Sequence, residues 1–189
     1  VVLIKHGSSI VFDMSNQTLN LKGFIAVAWA IVGLMALLIF ACWRLSAYTI
    51  ESFSMPLNWM HWVVFVGWTI FMAHGEGYKG FQKKFSPRFA ARCKYLLSNA
   101  TWLQTLLAPI FCMAYFHAPK KRVIATFALT IMIIAFIFAF RLIPQPWKGL
   151  LDFGVVFGLA WGAVSTIYYC FRAFTDETFT WDNEVLVTS

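Results

Sequence analysis

Five apolar runs of close to twenty residues, separated by short polar or charged segments, constrain this chain more than any other feature. An α-helix rises about 1.5 Å per residue and the hydrocarbon core of a bilayer is about 30 Å thick, so roughly 20 apolar residues cross it. The runs are 23–42, 57–74, 101–117, 123–140 and 150–174. Pro56 stands just ahead of the second, where proline suits a helix start, and Pro109 interrupts the third. Hydrophobic residues make up 60% of the chain and charged residues 12%, with a mean hydropathy of +0.70. Soluble domains hold about 45–50% and about 25%. A soluble enzyme, a disordered tail, a disulfide scaffold and a coiled coil are thereby excluded.

The expected fold is an all-α, polytopic integral membrane bundle of five transmembrane helices. One transmembrane domain over 23–174 follows an N-terminal segment, 1–22, and precedes an acidic C-terminal tail, 175–189. The connections are too short to hold a second core.

Orientation follows from Lys and Arg. With five spans, one face carries Lys5, Lys22, Lys79, Lys83, Lys84, Arg88, Arg92, Lys94, Arg141 and Lys148, and the other Arg44, Lys120, Lys121, Arg122 and Arg172. The richer face is the cytoplasmic or matrix-like one, which places the N-terminus inside a bacterial or organellar inner membrane. If the short third run re-enters instead of crossing, four spans remain and the bias is twelve against three. Five spans are preferred because 102–116 has only Gln104 and Thr105 as clearly polar members.

The net charge of +7 does not point to nucleic acid. Six of the fifteen basic residues fall between Lys79 and Lys94, beside a span, where they attract anionic lipid. Within that stretch Phe89, Ala90, Cys93, Leu96 and Leu97 recur at helical spacing, with Arg88, Arg92 and Lys94 assigned elsewhere on the wheel. The pattern predicts an interfacial amphipathic helix over about 87–98.

Gly154, Gly158 and Gly162 recur every fourth residue on the fifth run, the small-residue spacing that lets helix backbones approach closely in lipid. Gly75-Glu76-Gly77-Tyr78-Lys79-Gly80 matches G-x-G-x-x-G, but it follows a transmembrane run rather than a strand and lacks the context that gives the motif meaning. Its glycines predict the end of the second helix.

The ionisable residues near run ends suggest one polar pocket at the basic face, built from His74, Glu76, Tyr78, Arg141, Gln145, Trp147 and Asp152. Arg141 is expected to pair with Asp152 or Glu76, making either an ion-pair clasp or a pocket for a lipid headgroup, a proton-relay pair or a metal. His61, His74 and His117 are the weak candidates for haem b ligation, His61 and His117 sharing a face in the five-span arrangement. Four cysteines show neither CxxC nor zinc spacing. A nucleophile elbow, H-E-x-x-H and a P-loop are all missing from the sequence.

The function this implies is that of a small membrane subunit or accessory protein, packing against other subunits, membrane lipid or pigment. A lipid-handling protein or small-solute carrier using the basic-face pocket is the alternative, with bound lipid as the ligand. A b-type haem electron-transfer protein is the third.

Overall fold

The structure, a computed structural model, describes residues 21–176 and 178–185. Nearly all of the expected N-terminal segment, including Lys5 and His6, and residues 177 and 186–189 of the tail lie outside the described residues. Among those described there is no strand, and three helices are long and apolar enough to cross a membrane. They are α1 (Leu21–Phe53), a helix over Lys120–Arg141 and another over Trp147–Thr175.

The second run departs from its expected end at His74. Helix α2 (Trp59–Met72) starts at an Asn58 capping box, in which His61 Nδ1 accepts the Asn58 N–H at 2.9 Å. It passes without a break into a π-helical segment, Ala73–Phe85, and then into α3 (Ser86–Asn99). The Ser86 N–H reaches back five residues to Phe81 O, the bond that defines the wider turn. Gly75, Gly77 and Gly80 therefore sit inside a helix instead of ending one. With no Cβ to crowd the widened turns, they accommodate them.

The expected interfacial helix is α3, and it lies in the protein core. Phe89, Ala90, Cys93 and Leu96 are fully buried, packed against α1 and the C-terminal helix. Its amphipathic pattern matches a protein interior rather than a lipid surface. Arg92, assigned to the polar side of the wheel, is 2% exposed.

The third run is broken. It forms two five-residue helices, α4 (Trp102–Leu106) and α5 (Ala108–Cys112), either side of Leu107, with Pro109 in the first turn of α5. Ala114 and His117 then take positive φ, 66° and 51°, and turn the chain back. Five helical residues cover about 7.5 Å, far short of a bilayer. The Trp29 indole N–H donates to Leu106 O, and Pro109 packs on Gly33, so this segment descends part of α1. It returns to Arg92, which donates to Phe111 O, Phe116 O and His117 O.

Helix α6 (Lys120–Arg141) and α7 (Trp147–Thr175) complete the chain. α1 and α7 run antiparallel: Thr49 Oγ1 donates to Gly149 O, and Cys42 Sγ lies 3.9 Å from Val156 O. The helix from Trp59 to Asn99 runs parallel to α7, with Trp68 at Leu151 and Ser86 at Ser165 and Thr166. These three pack tightly. α6 stands apart, touching the rest through Tyr115–Thr130, Thr126–Met113, Arg122–Glu184 and the Trp68–Phe140 rings, and it has no buried residue.

Candidate functional site

Small residues on α7 create a polar seam. Gly154, Gly158 and Gly162 are buried and face Trp68, Glu76 and Phe81 of the neighbouring helix. Without Cβ atoms on α7, these bulky side chains lie directly on its backbone. Polar contacts continue along the same line: Trp68 Nε1 donates to Leu151 O at 2.9 Å and Trp161 Nε1 to Gln82 Oε1 at 2.9 Å. Ser86 Oγ lies 2.9 Å from Thr166 Oγ1 and 3.2 Å from Ser165 Oγ. Interhelical hydrogen bonds of this kind hold helices together where lipid supplies no hydrophobic drive.

Two carboxyl groups in this interior are incompletely satisfied. Asp152 is 2% exposed, and both its Oδ2 and Glu76 Oε2 are buried without a hydrogen-bond partner. Glu76 lies against Gly158, on the seam itself.

The expected basic-face pocket is not assembled. Arg141 is exposed, with its guanidinium 5.9 Å from the Phe138 ring, and it pairs with neither Asp152 nor Glu76. Among the described residues the ion pairs are Arg122–Glu184 and Arg172–Asp176. The physical reason is that Arg141 ends α6, the helix that stays off the bundle. Gln145 makes the clasp instead. Its Oε1 accepts from Ser52 Oγ at 2.6 Å and Gly149 N at 3.1 Å, while Nε2 donates to Tyr48 O and Glu51 Oε2. The Trp147 and His61 rings lie 4.4 Å apart, tilted by 46°, at the opposite end from Arg92. His74 is exposed and stacks on Tyr78 at 5.8 Å.

The histidines are likewise kept apart. His61 caps α2, His74 lies partway along the same helix, and His117 sits beside Arg92, its Nδ1 3.3 Å from Gln104 Nε2. His61 and His117 thus occupy opposite ends of the bundle, not one face. Among the described residues no group of three or more His, Cys, Asp and Glu side chains is arranged to hold a metal ion. Cys93 and Cys112 are free thiols 3.7 Å apart, in a core that also contains Cys170.

Arg92 is the residue that organises the far end. Its guanidinium donates five hydrogen bonds, to Phe111, Phe116, His117, Asn183 and Glu184 carbonyls. These bonds tie the broken third run and the tail to α3. Beside them opens a cavity of about 280 Å³ lined by Lys83, Lys84, Arg88, Arg122, Trp181, Asp182 and Glu184. Hydropathy alone does not bring these residues together, because they come from three separated stretches. Arg92 itself left a signal: it lies three residues after Phe89 and four before Leu96, on the apolar stripe.

No protein-family model, no curated protein and no solved structure matches this chain. The functional reading therefore rests on its own residues.

Proposed function

We propose that this protein crosses the membrane four times and works as a small subunit or accessory protein of a larger membrane assembly, presenting α6 to its neighbours. The observation that supports this is α6 itself, whose 22 residues include none that is buried. Phe127, Ile131, Ile134 and Ile137 are among its exposed side chains. A helix apolar all round is one that is surrounded, and the other described residues surround very little of it.

The four crossings are α1, the helix from Trp59 to Asn99, α6 and α7. The second of these follows α7, from Trp68 at Leu151 to Ser86 at Thr166, and its α3 part packs on α1, where Leu97 lies at Gly23. The 101–117 segment enters and leaves on one side. Lys22, Lys120 and Arg172 then share a face with the cluster from Lys79 to Lys94, and Arg44, Arg141 and Lys148 lie opposite. That asymmetry puts both chain ends inside.

Two measurements test the proposal. Cysteines introduced at Lys22 and Asn183 should label from the same side of sealed vesicles, and one at Pro144 from the other. The mass of the gently solubilised protein should exceed that of one chain, and tryptophan substitutions on one face of α6, at Ile134 or Ile137, should reduce it. A monomer indifferent to every α6 substitution would refute the subunit reading.

A further inference from the structure

We propose that the cavity between the π-helical segment, the start of α6 and the tail is a binding site for a phosphate group, supplied by the headgroup of an anionic phospholipid. Seven side chains from three stretches of chain meet there, four of them cationic: Lys83, Lys84, Arg88 and Arg122. Two are carboxylates, and their bonding differs. Glu184 is engaged by Arg122, Nε to Oε2 at 2.8 Å and Nη2 to Oε1 at 2.9 Å. That pair is self-satisfied. Asp182 Oδ1 accepts the Glu184 N–H at 2.9 Å.

Lys83, Lys84 and Arg88 thus face Asp182 alone, leaving an excess of positive charge. Arg88 donates its Nε to Lys84 O at 2.6 Å, which fixes the base of the guanidinium and leaves both terminal nitrogens without a partner among the described residues. The Lys84 ammonium has none either, while Lys83 Nζ rests 4.5 Å from the centre of the Tyr78 ring. A guanidinium held at one edge with its outer donors free is suited to two oxygens of one phosphate, with an adjacent ammonium as point charge.

The surroundings favour lipid as the carrier of that phosphate. Small-molecule pockets run from about 300 Å³ upward, and at about 280 Å³ this cavity is of headgroup size. Arg122 stands where α6 changes from Lys-Lys-Arg to an apolar helix, marking the level at which headgroups lie. Below it run the exposed Ile124, Phe127 and Ile131, an apolar wall for the chains. Trp181, half-exposed at the rim, has the amphipathic side chain found at this depth. The site rests on the membrane reading of α6 and on the face of Ile124, Phe127 and Ile131 being open to lipid rather than covered by a protein neighbour.

The test uses the full chain in neutral detergent, with short-chain phosphatidylglycerol, short-chain phosphatidylcholine and inorganic phosphate as probes, binding read by native mass spectrometry and thermal shift. One phosphatidylglycerol should bind, with affinity falling as salt rises. Arg88→Gln and Lys84→Gln should each weaken it about tenfold, the scale of one charge-assisted hydrogen bond. Lys79→Gln, an exposed cation on the same helix outside the cavity, should leave it unchanged and serves as the folding-neutral control. Equal binding of phosphatidylcholine, or equal weakening by Lys79→Gln, would overturn the site. Inorganic phosphate binding as tightly as the lipid would overturn the lipid assignment.

Discussion

The glycines of this bundle predict opposite outcomes for the same substitution at different positions. A Cβ at Gly149 would fall far inside van der Waals contact with Tyr48 O and Ser52 Oγ, and Tyr48 O is backbone, so α1 as a whole would have to move. That movement strains the Thr49–Gly149 bond at 3.2 Å and the Gln145 clasp on Ser52 and Gly149. Overpacking costs about 1–3 kcal/mol, and each hydrogen bond lost adds about 1 kcal/mol. The helix-propensity gain of alanine offsets about 1 kcal/mol. Gly149→Ala should therefore lose about 2 kcal/mol net. At Gly67 nothing lies within 4 Å of an added Cβ, and alanine there should gain about 0.5–1 kcal/mol from helix propensity alone. For a domain of this size 1 kcal/mol corresponds to about 2–4 °C in Tm. Gly149→Ala should melt roughly 4–8 °C below the parent and Gly67→Ala slightly above it. The assay is already in the chain: Cys93, Cys112 and Cys170 are buried, so a thiol-reactive fluorogenic dye reports unfolding. If Gly149→Ala melts with Gly67→Ala, the close approach of α1 and α7 is wrong.

Four further outcomes follow from particular contacts. Gly162→Leu should destabilise more than Gly158→Ala by thermal melting, because a Cβ at 162 meets the Phe81 ring at 2.6 Å, whereas at 158 it first meets the movable end of Glu76 at 3.1 Å. Arg92→Lys should cost about 3 kcal/mol or more, since three donors replace the five that now satisfy buried carbonyls; limited proteolysis should cut first in 100–119. Asp152→Asn should melt within about 1 kcal/mol of the parent or above it, because an amide keeps the shape and removes a charge whose burial goes uncompensated. Hydrogen bonds from Arg172, then from Thr178, hold the Asp176 carboxyl down to about 2. Its folded value lies below its unfolded value of about 3.9, so its contribution is present above about pH 4 and lost as pH falls through about 2. An acid titration of the last turn of α7 should show that loss in the parent and not in Asp176→Asn.

The helical, membrane-embedded class of this protein and the glycine face of α7 were legible because each depends on local pattern. Run length decides whether a helix can cross, and four-residue spacing decides which atoms line one face. The Gly75–Gly80 segment was not legible in the same way. Glycine ends helices by adopting positive φ, yet no glycine here has positive φ, and α7 supplies Trp161 to pack on Gly77. Tertiary contact overrode a local stop signal. The expected pocket failed for a related reason. His74, Glu76, Arg141 and Asp152 were placed together by assuming that helix ends near one face converge, but α6 carries Arg141 off the bundle. The cavity beside Arg92 needed the tail to fold back on α3, which no periodicity encodes.

Two features of this protein lack a partner among the described residues, and they lie side by side. The helix from Trp59 to Asn99 buries its seam residues against α7 and leaves Lys83 and Lys84 exposed at the cavity. α6, next to it, exposes aliphatic and aromatic side chains along its full length. A cationic face at the side of a membrane bundle is costly unless its lysines reach the interface along their stems or meet negative charge. An apolar helix asks for hydrocarbon or for an apolar neighbour. Water satisfies the first and not the second, and a soluble anion does the same. A molecule with a negative headgroup and two hydrocarbon chains satisfies both at once, in the orientation that Arg122 and the apolar turns after it prescribe. If such a molecule holds α6 in place, delipidation should free α6 before the core of α1, α3 and α7 yields. Hydrogen exchange would then rise first in 120–141. Simultaneous loss of protection across α6 and the helices packed together would show instead that α6 is held by the protein alone.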